Sequence, residues 1–191
     1  MRRLAVCLAL AGLAALPGCG DNEVTVGVDV LSFVDPEAQG GDYLVPGGFR
    51  LPPVTIEPQP VTLVDGLAQV VDMERVDVSF ALDFAGRAGS GAGTVEARLY
   101  FAGPAAGGGS AVYQTAPVYT GTASLAGGTT ATLAGTFEAT AANGLLPLFQ
   151  GGELDFGLAL VFDGTGSVEP VAGAWNIARV DAVVLGTGSV F

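Results

Sequence analysis

Apolar and polar residues alternate along most of the chain. Val24, Val26, Val28 and Val30 alternate with Thr25, Gly27, Asp29 and Leu31. From Val76 to Phe84 the apolar set is Val76, Val78, Phe80, Leu82 and Phe84, with Asp77, Ser79 and Asp83 between them. Leu154, Phe156, Leu158, Leu160 and Phe162 repeat the pattern against Asp155, Gly157, Ala159, Val161 and Asp163. Successive side chains of a strand point to opposite faces, so a period of two predicts one buried and one wet face. Thr94 to Phe101 follows Phe84 across a Gly-rich loop and is expected to pair with it as a hairpin. Further strands are expected at 117–125, 129–140 and 176–186. One-sided alternation of this kind favours antiparallel sheets.

Helical periodicity is nearly absent. The stretch 143–150 allows one short helix or turn, and Pro147 limits its length. Gly-rich turns fall at 86–93, 103–110, 127–128 and 151–152. Segment 35–62 carries Pro36, Pro46, Pro52, Pro53, Pro58 and Pro60. Proline cannot donate to a strand ladder, so this segment reads as a covering loop with one edge strand near 54–57. Short strands separated by such turns predict an all-β fold, an antiparallel β-sandwich of about 7–9 strands, with a closed barrel as the alternative. Residues 23–191 are expected to form a single domain.

Composition then removes whole classes of chemistry. The chain has 191 residues, no histidine and no lysine; its seven basic residues are all arginine. There is no Ser-His-Asp triad, no Cys-His pair and no lysine Schiff base to be had. A net charge of −12 argues against nucleic acid as a partner, because phosphate binding rests on clustered Lys and Arg.

The N-terminus reads as an export address. Met1-Arg2-Arg3 is followed by an uncharged run from Leu4 to Leu16. That run is too short for a helix spanning a bilayer, which takes about 20 apolar residues, and suits a signal-peptide core. Leu16-Pro17-Gly18-Cys19 stands at its end. This string resembles the lipobox of bacterial lipoprotein precursors, with Leu16 and Gly18 matching and Pro17 departing from the usual small residue. The resemblance covers residues 1–19. It implies cleavage of 1–18 between Gly18 and Cys19, a diacylglycerol on the Cys19 sulfur, and acylation of the new amino group. Residues 19–22 would then be a lipidated N-terminus and short tether, giving stable membrane attachment. Gly20 rather than Asp directly after the cysteine implies the outer membrane over the inner. Cleavage removes two arginines and no acid, so the mature body is more acidic than the whole chain.

Candidate chemistry beyond this is sparse. Asp163-Gly164-Thr165-Gly166 differs from the Asp-Thr-Gly of aspartic proteases because Gly164 intervenes, and Asp-Gly at a strand end reads as a turn. Paired carboxylates remain available among nineteen acids, with Asp72, Glu74, Asp77 and Asp83 in one stretch. Calcium is the one metal with oxygen ligands on offer, at Asp163 with Glu169 or at Asp21, Asn22 and Glu23; no other cofactor is expected. Trp175, Tyr100, Tyr113 and Tyr119 are the aromatics for a ligand groove, with Tyr100 expected outward because it opposes Leu99 and Phe101. Three functions stand open. The leading one is a non-enzymatic, lipid-anchored envelope lipoprotein whose sandwich binds or supports an envelope protein or glycan. The others are a carbohydrate- or apolar-ligand-binding module and a carboxylate-based hydrolase.

Overall fold

The computed structural model describes residues 22–63, 70, 72–104 and 109–188. Ten strands run through them: β1 (Asn22–Asp29), β2 (Gly40–Val45), β3 (Val54–Thr55), β4 (Gln59–Thr62), β5 (Asp72–Gly86), β6 (Gly93–Ala102), β7 (Tyr119–Leu125), β8 (Thr130–Thr140), β9 (Glu153–Asp163) and β10 (Val171–Gly188). One short helix, α1 (Leu146–Gln150), precedes β9, with Pro147 in its first turn where a missing N–H costs nothing. Among the described residues no helix is long and apolar enough to cross a membrane.

The strands form two antiparallel sheets. One has the order β1-β10-β5-β8, and β2 also pairs with β10; the other has β3-β9-β6-β7, and β4 also pairs with β9. β2 lies along Val171–Asn176 of β10 and β1 along Asp181–Gly188. The two therefore occupy successive places on one edge. β3 and β4 do the same along β9. Counting each couple as one broken strand leaves the order 1-8-3-6 in one sheet and 2-7-4-5 in the other. This is the double Greek-key connection of a jelly roll. Both sheets keep open edges, so the fold is a sandwich and not a closed barrel.

The inner faces supply the core predicted by the alternation. Phe80, Phe84, Leu82, Leu99, Leu154, Phe156, Leu158, Leu160 and Phe162 are all fully buried. Each such side chain contributes about 1.5–3 kcal/mol on leaving water. Two bulges shift the apolar phase. In β10 the buried set runs Trp175, Ile177 and then Val180, Ala182, Val184, with the pairing slipping between Ile177 and Arg179. The buried set of β5 likewise passes from Met73 to Val76 across the slip that leaves Glu74 unpaired. An extra residue on one strand reverses which side chains face inward, so each bulge keeps the apolar set on the core.

Two expectations need correction. The stretches 76–84 and 94–101 do not form a hairpin: β5 lies between β10 and β8, and β6 between β9 and β7. The loop between them crosses from one sheet to the other, a step of about 10 Å that local alternation cannot reveal. Segment 35–62 is more than a covering loop, since it carries β2 and β4 as well as the edge strand at Val54–Thr55. β2 is a proline-free stretch, and Pro60 of β4 sits on a sheet edge, where its missing N–H is tolerated. The expected signal peptide at 1–18, Cys19 and Asp21 lie outside the described residues.

Candidate functional site

The four candidate aromatics occupy three separate places. Tyr100 does stand on the outer face of its sheet, as its position against Leu99 predicts, but it is buried there. The cover is a 3₁₀ turn at Gly109–Gln114. Val112 of that turn is fully buried with Tyr100 and Ala159, and Tyr113 meets Tyr100 edge to face at 5.3 Å. Gly157 makes room for this turn, because a Cβ there would press on Val112 and Tyr113. Tyr119 turns into the sandwich instead and packs against Phe80 at 4.6 Å. Trp175 is buried in the main core at 7% exposure.

Tyr113 acts as a latch. Its hydroxyl donates to the Ile56 carbonyl at 2.7 Å and lies 3.3 Å from that of Leu158, tying the turn to the linker after β3 and to β9. Burial pushes its pKa up to about 12; the Leu158 carbonyl acts weakly the other way and Tyr100 adds to the rise. The fold therefore favours the neutral phenol over the phenolate. That preference stabilises the native state in full below the free tyrosine pKa of about 10 and is lost as pH rises through about 12. Ultraviolet titration should show Tyr113 ionising near that upper value, and Tyr113→Phe should remove its contribution to the curve. An unchanged titration curve would reject the latch.

Of the calcium candidates, Asp163 closes a turn and Glu169 stands exposed. Asp163 Oδ1 accepts from Thr165 N at 2.8 Å and Thr165 Oγ1 at 2.6 Å, closing the turn that ends β9. The Thr165 hydroxyl and amide, with a smaller pull from Arg50, hold its carboxyl below the ordinary range. Glu169 is exposed, and its backbone carbonyl accepts from Ser167. No group of three metal-ligating side chains occurs among the described residues. The same loop answers the Asp-Gly-Thr-Gly string: Asp163 is a turn residue there. None of the described acids is buried. Asp77 pairs with Arg75 at 3.0 Å, Asp181 with Arg179 at 3.5 Å, and Glu96 with both Arg98 and Arg50.

A cleft that takes in Trp175 opens where the sheet edges part. It has a volume of about 460 Å³ and lies between β2 and β10 on one side and β3 and β4 on the other. Trp175 lines it together with Asp35, Glu37, Glu57 and Gln59. Gln59 is the one buried polar side chain among the described residues. Its Oε1 accepts from Asp35 N at 2.9 Å and its Nε2 donates to Glu57 O at 2.6 Å, so it fixes the turn after β1 onto β4. Sequence reasoning missed Gln59. Its signal was the alternation of Gln59, Val61 and Leu63, masked by the neighbouring prolines. The cleft offers carboxylates and backbone carbonyls and no arginine, so it suits a neutral polyol or a cation over an anion.

No protein-family model matches the chain, and no curated protein matches it. Solved structures similar to it include several of viruses. A structure of infectious bursal disease virus, Gx strain, is 12% identical with a TM-score of 0.47, covering 96% of this chain and 39% of that one. The chain thus spans about two fifths of that longer protein. Broad bean stain virus gives 11% identity and a TM-score of 0.32, covering 95% of this chain and 97% of that one. Desmodium yellow mottle tymovirus gives 7% and 0.28, covering 96% and 98%.

Proposed function

We propose that this chain is an exported, non-enzymatic lipoprotein, anchored by lipid on Cys19 to the bacterial envelope, whose sandwich binds or supports a partner there. The observation that carries the reading is the position of Cys19. It closes an uncharged run that follows two arginines, and only Gly20 and Asp21 separate it from β1. The body would then sit close to the membrane with its β1 end down. β10 spans about 60 Å at the usual rise of a strand, so its other end stands well away from the anchor. That far end carries the exposed apolar side chains Leu44, Phe49 and Val168, a feature that favours contact with a partner. The surface placement of the described acids, and the pairing of Asp77, Glu96 and Asp181 with arginine, weigh against a carboxylate-based hydrolase.

Metabolic labelling with a palmitate analogue tests the anchor. The full chain expressed in a Gram-negative host should take up label and fractionate with the outer membrane. Cys19→Ala should abolish the label and release the protein from the membrane fraction; a Cys19→Ala chain that still carried lipid would end the proposal. A second reading, a small-ligand module, is favoured by the cleft beside Trp175. Trp175 is the only tryptophan, so its fluorescence should shift on titration with a neutral oligosaccharide if the cleft is a sugar site. A flat titration counts against it.

A further inference from the structure

The loop between β8 and α1 carries Asn143-Gly144, and of the asparagines in the chain this is the one followed by glycine. Both residues are exposed. The Asn143 Oδ1 accepts from two backbone amides, Thr140 N at 3.0 Å and Leu145 N at 3.2 Å. The second bond closes an Asx turn around Gly144 and fixes the side-chain carbonyl against the backbone. Two N–H groups aimed at one carbonyl oxygen are also the arrangement that stabilises an oxyanion. Gly144 holds φ at +72°, has no side chain to screen its nitrogen, and makes a long bond of 3.3 Å to the Ala141 carbonyl.

We infer that Asn143-Gly144 is a self-modification site, where the loop promotes cyclisation and loss of the Asn143 amide. The Gly144 nitrogen gives its proton to hydroxide and attacks Asn143 Cγ. A new N–Cγ bond forms, and the negative charge gathers on Oδ1 beneath the Thr140 and Leu145 amides. The Cγ–Nδ2 bond then breaks, and Nδ2 takes a proton from water and leaves as ammonia. Water opens the resulting succinimide at either carbonyl, leaving aspartate or isoaspartate at position 143. Nothing is oxidised or reduced, and water is the only co-reactant. The product no longer has the Nδ2 group that donates to the Glu138 carbonyl at 2.7 Å. It also places a second negative charge near Glu138 at the end of β8, and the isoaspartate form lengthens the backbone between β8 and α1.

Mass spectrometry of the aged full chain tests this. The peptide holding Asn143 should gain the mass of an amide-to-acid conversion, accumulate isoaspartate, and do so faster as pH rises from neutral to mildly alkaline. The peptides holding Asn22 and Asn176 serve as internal references and should stay unconverted over the same period. Asn143→Gln should abolish the signal. The contribution of the loop is read by repeating the incubation in denaturing urea. Conversion in the folded chain should be at least as fast as in the unfolded one. A folded chain that converts about tenfold more slowly, or one in which Asn176 converts as fast as Asn143, would overturn the inference.

Discussion

Phe101→Ala is expected to lower the unfolding free energy by about 3–5 kcal/mol, the range for emptying a packed phenylalanine site. Phe101 is 3% exposed on β6. Its ring lies 5.6 Å from Phe137 of β8, 5.6 Å from Phe149 of α1 and 5.4 Å from Phe156 of β9. One side chain thus joins both sheets to the only α-helix described. The tilted ring pairs each add to the burial term, and the neighbours come from three separate elements, so the cavity cannot close by a single small shift. Urea denaturation of the Phe101→Ala protein should move the midpoint with an unchanged slope. A loss below about 1 kcal/mol would mean that the site collapses freely and that these rings are not a junction. Leu44→Ala is the matched control, since Leu44 is 66% exposed and a surface change should stay within about 0.5 kcal/mol.

The alternation that predicts β5 and β9 is strong because each puts one clean apolar set on the core. It was legible wherever the strand stays in phase. β10 was read only from residue 176 because its first stretch, Val171-Ala172-Gly173-Ala174, is small and unpatterned, and because the bulge at Ala178 shifts the phase beyond it. The partner of β6 was misread for a different reason. Which sheet a strand joins is decided by contacts far apart in sequence, and the loop from β5 to β6 has the glycine content of a hairpin without being one. The site was less legible than the fold. Trp175 could be named as a ligand candidate, but the cleft beside it is built by Gln59 and by the turn at Asp35, within a proline-rich stretch that reads as loop. Tyr113 could be named as an aromatic, but its latch depends on carbonyls at Ile56 and Leu158, which no side-chain pattern reports. The resemblance to a lipobox needs no fold to be read, since its information is an order of residues.

Gly173→Val is the other large loss expected, about 3 kcal/mol, at the upper end of what overpacking costs. Glycine inside a strand weakens it unless another group must come close. At Gly173 two do. A Cβ there would run into the carbonyl oxygen of Ala85 on β5 and would stand 2.5 Å from the hydroxyl and 2.7 Å from the ring of Tyr43 on β2. The Tyr43 ring cannot move aside cheaply, because it stacks on Phe162 at 4.7 Å with planes 16° apart. Nor can the Ala85 carbonyl, which belongs to the backbone of the central strand β5. The substitution should therefore part β2 from β10 and loosen that edge of the sheet. Gly27→Ala on β1 separates this argument from a general penalty for changing strand glycines. A Cβ at Gly27 meets nothing within 4 Å and its backbone is not in the left-handed region, so that change should be neutral or mildly stabilising. Thermal melts of the two single variants decide it. Equal losses in both would show that glycine content, and not the contact with Tyr43 and Ala85, sets the cost. If the contact is the cause, adding Tyr43→Ala to Gly173→Val should recover part of the loss and no more, since the Ala85 carbonyl remains.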